Sequence, residues 1–303
     1  MSFDDKQVTF AGARRGSQWA TIGEILGKAL ASDGWQVRVD EGGSVERNPR
    51  LVASGEADFG ATNPTAVRGA YSGMASYEGE PPRRNLRAIA GIRQGNWEGF
   101  AARAELGITD LAQIAERKLP LRVVGGTGHT QLKVWEHYGM SPELITSWGG
   151  KFYESGYEDV VRSGDFDMIV TPISSGYMPE TAHWHLASVL YDLRFIPAPA
   201  DVIRAVCEAM PGGEPGVIPH HLYRGISEDV PAVCRPWRVV ITTADAPSSF
   251  GYTVAKALSR SSTLLSQTHL SFSYTPRDAA ASQGVPLHSG AEAYYQEMGI
   301  IPA

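Results

Sequence analysis

Short apolar runs alternate with glycine-rich polar turns along most of the chain, an order typical of strands followed by helices. Residues 37–64 show the pattern most clearly. An apolar strand end at 37–39 leads into the turn 42–44, and apolar positions between 45 and 52 share one helical face. Gly55 can end that helix in a left-handed conformation, and 59–61 reads as a short buried strand. This stretch therefore predicts a strand–turn–helix–strand unit.

The same alternation recurs in the rest of the chain. Helical stripes of apolar residues are predicted at 18–31 and 251–265. Short apolar, β-branched runs predict strands at 8–11, 87–92, 99–102, 121–124, 168–170 and 237–242. Repeated strand–turn–helix order predicts an α/β protein with mainly parallel sheets flanked by helices.

Polar side chains occupy the turns after the first predicted strands. At such turns the free N–H groups and the dipole of the following helix favour an anion. An arginine there could pair bidentately with a carboxylate, sulfonate or phosphate. The candidate ligand-binding residues in this part of the chain are Arg14, Arg15, Ser17, Ser44, Asn48 and Asn63.

A second glycine-rich turn, GGTGHT at 125–130, follows the predicted strand 121–124. Its glycines let the backbone approach a ligand, but no Gly-Lys-Ser/Thr follows at the spacing of a Walker A loop. The turn after the strand 168–170 carries further hydroxyl groups. The candidates in this half of the chain are Thr127, His129, Thr130, Thr171, Ser174 and Ser175.

Composition narrows the function classes. The chain has 303 residues, of which 43% are hydrophobic, and a net charge of −6. The negative charge argues against nucleic acid as a partner. No apolar run approaches the ~18 residues of a transmembrane helix, and the first residues lack the pattern of a secretory leader. Cys207 and Cys234 leave both a single disulfide and two free thiols open.

Two histidine groups were considered as metal ligands. They are His183-Trp184-His185 and His220-His221, and neither has a nearby carboxylate that would complete a ligand set. We therefore predict no metal and no cofactor.

Several segments, in order along nearly the whole chain, resemble the TAXI-type solute receptors, the extracytoplasmic binding proteins of TRAP transporters. The most similar is GGSVERNPRLVASGEADFGATNP, from Gly42 to Pro64. Others are Gly16-Ser17, 87–89, 108–111, 164–167, PHHLYRGISEDVP at 219–231 and PLHSGAEAYYQE at 286–297. The pair Arg14 and Arg15 departs from the family, which usually has a glycine- and threonine-rich turn there.

The resemblance implies a two-lobed, type II periplasmic-binding-protein-like fold with the ligand cleft between the lobes. Lobe I is expected to comprise 1–98 plus 226–303 and lobe II 99–225, with crossovers near 94–103 and 218–232. It further implies that the protein captures a small organic anion, a carboxylate or an amino acid, for TRAP membrane permease subunits. The implied location is the periplasm if a leader has been removed, and the cytoplasm otherwise.

An enzyme on the same scaffold is the alternative. Some cytoplasmic relatives of such receptors, of the dihydroxyphthalate decarboxylase type, act on aromatic carboxylates. In that case His129 would transfer the proton while the arginines hold the carboxylate. No other catalytic residue is predicted, and the sequence leaves both functions open.

Overall fold

A computed structural model describes residues 3–209, 212–281 and 284–302. These residues form two compact units. The described residues up to Gln94 and from Pro236 onward form the first unit, and those from Gly95 to Arg235 form the second. Among the described residues, no helix has the length and apolar character needed to cross a membrane.

Strands and α-helices are numbered separately in chain order. The strands are β1 (Gln7–Ala11), β2 (Gln36–Asp40), β3 (Phe59–Thr62), β4 (Leu86–Gln94), β5 (Asn96–Arg103), β6 (Arg122–Gly125), β7 (Lys151–Tyr153), β8 (Met168–Ser174), β9 (Leu193–Phe195), β10 (Glu214–Ile218), β11 (Val230–Cys234), β12 (Trp237–Thr243) and β13 (Phe272–Ser273). The helices are α1 (Gln18–Ala31), α2 (Arg47–Ser54), α3 (Pro64–Ser72), α4 (Ala112–Arg117), α5 (His129–His137), α6 (Pro142–Ser147), α7 (Tyr157–Ser163), α8 (Ala182–Leu190), α9 (Ala200–Ala209), α10 (Ser248–Arg260), α11 (Ser262–Ser266), α12 (Pro276–Ala279) and α13 (Ser289–Glu297).

The sheet of the first unit has the order β13-β4-β12-β3-β1-β2. Strand β1 is parallel to both β2 and β3, whereas β12 is antiparallel to β3 and β4. Helices α1, α2 and α3 each follow one of the three parallel strands, so their N-termini lie at the carboxyl edge of this sheet. Gly55 adopts the left-handed conformation that ends α2, with φ 78°, as the sequence predicts.

The sheet of the second unit has the order β10-β11-β5-β8-β6-β7, with β9 also paired to β5. Strand β6 is parallel to β7 and β8, and β5 is antiparallel to β8. Both sheets therefore have the same plan. In each sheet, the strand that enters directly from the other unit is antiparallel to the third parallel strand. In the first unit β12 lies beside β3, and in the second unit β5 lies beside β8.

The predicted α/β class is confirmed, since helices and strands alternate along the described residues and each unit is built around a sheet. The sheets are mixed rather than mainly parallel, because each incorporates an antiparallel strand that arrives from the other unit. Local apolar pattern cannot reveal strand direction, since a fully buried strand has the same composition in either orientation.

The unit boundaries differ from those expected. Residues 95–98 and 226–235, assigned to lobe I from the sequence, lie in the second unit. Strand β5 begins at Asn96, directly after the first crossover, and β10 and β11 form a hairpin whose Cys234 pairs with Trp97 of β5. The chain therefore returns between Arg235 and Pro236, after the hairpin rather than before it.

Each unit has its own core. In the first, Phe10, Phe59 and Phe250 pack edge to face between the sheet and α10. Helices α10 and α13 approach closely, since a Cβ on Gly290 would lie 1.8 Å from the Ser248 carbonyl oxygen. The imidazole of His288 accepts a hydrogen bond from the Gly290 N–H and caps α13.

The second unit has an apolar cluster on each face of its sheet. Cys207 of α9 packs against one cluster and Cys234 of β11 against the other. Cys207 and Cys234 are not joined in a disulfide, which answers the question that the sequence left open. Burial raises the pKa of the Cys207 thiol, and Glu214 adds to that shift.

Candidate functional site

At the carboxyl edge of the first unit, the Asn48 side chain joins three segments. Its Nδ2 donates to the carbonyl oxygens of Gly12 and Ala61, both at 2.7 Å, and its Oδ1 accepts from the Ser44 N–H at 3.1 Å. Asn48 is fully buried. Both amide hydrogens are used, so Asn48 fixes the turn after β2 against the ends of β1 and β3.

Gly43 makes this arrangement possible. A Cβ at this position would lie 2.1 Å from Asn48 Oδ1 and 2.4 Å from the Gly12 carbonyl oxygen. Only glycine allows the chain to pass so close to the Asn48 amide. The glycine pair that predicted a turn from the sequence therefore serves a packing requirement.

Ser17 and Asn63 cap helices of the first unit. The Ser17 hydroxyl accepts from the Ala20 N–H at 3.2 Å and is fully buried, and Asn63 Oδ1 accepts from the Ala66 N–H at 2.8 Å. Ser44 is not the N-cap of α2, because this helix begins at Arg47. The Ser44 hydroxyl instead accepts from the Arg47 N–H at 3.1 Å and stabilises the turn before the helix.

Arginines occupy this edge in two different settings. Arg14 and Arg15 are exposed in the turn before α1. Arg238 of β12 is only 3% exposed and lies opposite Ile92 of β4, next to the pair formed by Val239 and Thr62. Its guanidinium donates to Gln18 of α1 and lies over the Trp19 ring. Arg238 is therefore a buried cation at the same edge as the candidate turns.

In the second unit, the turn between β6 and α5 has backbone groups that are available for hydrogen bonds to a ligand. Gly125 and Gly126 have φ angles of 77° and 84°, which a side chain would disfavour. Helix α5 begins after Gly128 and has no side-chain cap. The N–H groups of its first turn therefore lack an intrahelical partner.

The side chains of this turn are also available. Thr127 is half-buried and His129 is exposed, and neither side chain forms a hydrogen bond with the part of the chain that the structure describes. Thr130 is 1% exposed, and its buried Oγ1 contacts the Glu98 carboxylate without forming a well-aligned hydrogen bond to any described residue. A buried hydroxyl at a helix N-terminus that lacks a well-aligned partner is suited to bind a ligand there.

Thr171, near the end of β8, is held by a histidine. Its Oγ1 lies 2.7 Å from His183 Nε2, and both residues are buried. Burial lowers the pKa of His183 to about 4, with a smaller contribution from His185. His183 therefore remains neutral near pH 7 and fixes the Thr171 hydroxyl.

Ser174 and Ser175 contact the first crossover rather than open space. Both hydroxyls donate to the Gly95 carbonyl oxygen at 3.3 Å, and the Ser175 N–H donates to the same oxygen at 2.9 Å. The Ser174 hydroxyl also accepts from the Gly176 N–H at 3.3 Å. These serines therefore stabilise the chain where it enters the second unit.

A charged cluster lies behind α5. Glu98 of β5 is 2% exposed, and its carboxylate lies 2.5 Å from Gln131 Nε2 and 2.6 Å from Arg235 Nη2. The pKa of Glu98 is raised, chiefly by burial, although the Arg235 charge and polar contacts with the Thr130 hydroxyl and the Gln131 amide act in the opposite direction. The carboxylate thus connects α5 to the last residue of the second unit.

Sequence reasoning did not single out Glu98, Gln131, Arg235 or Arg238, and it weighed His183 only as a metal ligand. The available signal was a charged residue inside an otherwise apolar strand, as in NWEGFAA and WRVVITT. Charged residues are almost never fully buried unless they are paired. The predicted strand began at Gly99 and so left Glu98 outside, although β5 begins at Asn96.

The histidine pairs do not form a metal centre. His183 and His185 lie in helix α8 rather than on a strand, and His185 Nε2 lies 3.2 Å from the Tyr223 hydroxyl. His220 pairs with Asp229 at 2.9 Å. Among residues 3–209, 212–281 and 284–302, no group of three or more His, Cys, Asp or Glu side chains could hold a metal ion.

Solved structures with a similar fold include several binding proteins. MatC (Rpa3494) from Rhodopseudomonas palustris, with bound malate, is 11% identical, with a TM-score of 0.53 over 97% of this chain and 96% of that chain. XAC2383 from Xanthomonas citri, bound to chloride ion, is 10% identical, with a TM-score of 0.49 over 97% and 96%. The periplasmic aliphatic sulphonate binding protein SsuA from Escherichia coli is 13% identical, with a TM-score of 0.48 over 98% and 79%.

The family is shown by sequence. The model of the NMT1-like family matches residues 10–299, which span almost the whole length and include every candidate residue named above. The chain therefore belongs to the NMT1-like family.

Proposed function

We propose that this protein binds a small organic anion, a carboxylate or an amino acid, and delivers it to a TRAP-type transporter in the periplasm. The observation that carries the proposal is the N-terminus of α5. It is a nine-residue helix without a side-chain cap, and the buried Thr130 Oγ1 in its first turn forms no well-aligned hydrogen bond with a described residue.

An anion suits this turn electrostatically. The first-turn N–H groups of α5 and the positive end of its dipole attract negative charge. Thr127 and His129 add side-chain donors without any rearrangement of hydrogen bonds among the described residues, and Thr130 adds a hydroxyl that now contacts Glu98. The nearby Glu98 carboxylate would oppose an anion, but the Arg235 guanidinium at 2.6 Å offsets its charge.

The other candidates divide into two groups. Thr171, Ser17, Ser44, Asn63 and the exposed arginines Arg14 and Arg15 remain candidate ligand contacts. Asn48, Ser174 and Ser175 are better assigned to holding the turns, because their polar groups bind backbone atoms within their own unit.

Two comparisons support the ligand class and the partner. MatC, whose fold resembles this one, was solved with malate, so malate is the first anion to test. The TRAP-type partner and the periplasmic location are supported by the ordered resemblance to TAXI receptors, above all in residues 42–64. Transport of the identified ligand into vesicles that contain TRAP permease subunits, with and without this protein, tests the partner.

The first experiment is a thermal-shift screen with dicarboxylates, amino acids, aromatic acids and sulfonates, followed by mass analysis of each hit. A ligand that binds only the folded protein raises its melting temperature by mass action. We expect a stabilising carboxylate to be recovered unchanged. Absence of any stabilising anion would contradict the proposal.

A pair of variants locates the site. Thr130→Val removes the Thr130 hydroxyl with little change in shape and should weaken affinity for the stabilising anion about tenfold, the effect of one hydrogen bond to a charged group. Ser141→Ala removes the cap of α6 in the same unit, where the hydroxyl accepts from the Leu144 N–H at 3.1 Å, and should leave affinity unchanged. Equal affinities of Thr130→Val and the wild type would place the site elsewhere.

The decarboxylase alternative receives no specific support from the described residues. His129 is exposed, and it forms no hydrogen bond with a described residue that would orient it as a base. Consumption of a screened acid during incubation, lost in His129→Gln, would replace the receptor proposal with an enzymatic one.

A further inference from the structure

Glu98 connects the α5 turn to the two places where the chain enters and leaves the second unit. We propose that Glu98 is a positioning residue, whose contacts with Gln131 and Arg235 set the conformation of the turn at 125–130 and thereby its affinity for an anion. The part of this inference that concerns affinity rests on the proposed function; the part that concerns the turn does not.

The contact with α5 follows from strand and helix periodicity. Side chains of Glu98 and Phe100 point to the same face of β5, because they are two residues apart. Phe100 packs edge to face on Trp135, with ring centroids 5.7 Å apart. Gln131 lies one turn before Trp135 on α5, so its amide meets the Glu98 carboxylate at 2.5 Å.

Gln131 connects the Glu98 carboxylate to the backbone of the turn at 125–130. A Cβ at Gly128 would lie 2.1 Å from Gln131 Oε1, so the Gln131 amide lies directly against the backbone of the turn. One end of this amide thus binds the carboxylate while the other packs on the N-cap of α5. A displaced carboxylate would shift Gln131 and with it the Gly128 backbone.

Arg235 attaches the other side of Glu98 to the crossovers. Its Nη2 lies 2.6 Å from Glu98 Oε1, and its backbone N–H donates to the Asn96 carbonyl oxygen at 2.7 Å. Asn96 is the first residue of β5 and Arg235 is the last residue of the unit. The two chain passages are therefore joined to each other and, through Glu98, to α5.

The carboxylate has a role that a neutral residue would not fill. The Arg235 guanidinium, 2.6 Å from Glu98 Oε1, favours the ionised form of Glu98, and hydrogen bonds to an ionised group are shorter and roughly twice as strong as neutral ones. Such contacts keep Gln131 in one position even though the site is buried. Glu98→Gln retains the size and a hydrogen-bonding group but removes the charge, which makes it the sharpest substitution.

Asp167→Asn is the matched control. Asp167 is half-buried in the same unit and accepts from Arg122 Nε at 2.9 Å and Nη2 at 2.7 Å. It directly precedes β8 and binds the first residue of β6, so this ion pair lies at the opposite, amino edge of the same sheet. Both substitutions neutralise one carboxylate of an Arg–carboxylate pair.

Hydrogen exchange of the full chain without ligand tests the positioning. The reporters are three hydrogen-bonded amides, those of Gly126, Leu132 and Arg235. In Glu98→Gln they should exchange about tenfold faster than in the wild type, the difference between a charged and a neutral hydrogen bond. In Asp167→Asn they should match the wild type. Equal exchange in both variants would overturn the proposal.

Calorimetry with L-malate tests the consequence for binding. Affinity should decrease about tenfold in Glu98→Gln and stay unchanged in Asp167→Asn when both are fully folded. Unchanged affinity in Glu98→Gln would overturn the effect on binding even if exchange is faster. If the wild type does not bind malate, the proposed ligand fails and the exchange result alone decides the positioning role.

A second variant serves if Glu98→Gln does not fold. Gln131→Met removes the hydrogen bond from the helix side and leaves the pair of Glu98 and Arg235 in place. Faster exchange at Gly126 and Leu132 with unchanged exchange at Arg235 is expected. Unchanged exchange at all three amides would contradict a role for the Gln131 contact.

Discussion

The two units fix their carboxyl-edge turns with different chemistry. In the first unit a neutral amide, Asn48, uses both its N–H groups and its carbonyl oxygen within the protein. In the second a carboxylate, Glu98, is held between an arginine and a glutamine. The adjacent Thr130 Oγ1 contacts that carboxylate but forms no well-aligned hydrogen bond with a described residue.

This difference indicates which of the two turns still has hydrogen-bond donors available for a ligand. A saturated neutral network stabilises one conformation and has no donors left for a ligand. A charged contact beside an uncapped helix and a hydroxyl without a well-aligned partner leaves donors available. We infer that the turn held by Asn48 is preformed, whereas the turn before α5 keeps donors available for an anion.

The largest effect is expected from Asn48→Ala. It removes the donor of two buried carbonyl oxygens, at a cost of about 1–3 kcal/mol each, and the acceptor of the more exposed Ser44 N–H, so unfolding free energy should decrease by about 2–6 kcal/mol. Asn63→Ala, which removes a half-buried cap, should cost only about 1 kcal/mol. Urea unfolding checks both. Equal losses would show that Asn48 is no more than another cap.

The sequence predicted the local features of the first unit better than its tertiary contacts. The turn at Gly42 to Ser44, the end of α2 at Gly55 and the strand β3 follow from local pattern. The partners of Asn48 do not, because Gly12 and Ala61 are brought to it only by strand pairing. Asn48 was therefore assigned to the ligand rather than to the backbone.

The second unit shows the same limit in its charges. Glu98 was left outside the predicted strand because a carboxylate contradicts the apolar pattern of a buried one. Its partner Arg235 comes from the far end of the unit, so no local spacing could reveal the pair. The candidate turns themselves were found because glycine and hydroxyl residues after a strand are a local signal.

Acid should destabilise the second unit through His183. Its pKa is about 4 in the folded protein and 6.5 ordinarily, so the unfolded chain takes up a proton in this range and the folded chain does not. Stability is therefore complete above pH 6.5 and decreases by about 3 kcal/mol as the pH falls to about 4. In His183→Gln this decrease of about 3 kcal/mol in unfolding free energy should be absent. Chemical unfolding at several pH values measures it.

The first unit offers the comparison for this effect. Burial also lowers the pKa of His288, but its hydrogen bond to the Ala246 carbonyl oxygen offsets part of the shift. His288→Gln should therefore change the pH dependence less than His183→Gln. The opposite ranking would mean that the buried Thr171–His183 contact tolerates a proton.

Substituting alanine for one glycine in each turn should distinguish a turn that cannot adjust from one that can. In Gly43→Ala the new Cβ meets the Gly12 carbonyl oxygen at 2.4 Å, and backbone cannot move aside, so a loss of about 2 kcal/mol is expected. In Gly128→Ala it meets Gln131 Oε1 at 2.1 Å, the end of a flexible side chain, and the loss should be below about 1 kcal/mol. Gly128→Ala should nevertheless speed exchange of the Leu132 amide, since Gln131 must leave its position. A larger loss of stability in Gly128→Ala would reverse the assignment of the two turns.

The smallest expected change in unfolding free energy has a different sign in the two units. Ser17→Ala removes a fully buried cap from α1 and should lower unfolding free energy by about 1 kcal/mol. Thr130→Val replaces a buried hydroxyl that lacks a well-aligned partner with a methyl group of similar size, so stability should be unchanged or increase by up to about 1 kcal/mol. Denaturant unfolding without ligand measures both. A stabilised Thr130→Val protein with weaker anion binding would show that its hydroxyl serves a ligand rather than the fold, whereas a destabilised one would show that the hydroxyl serves the fold.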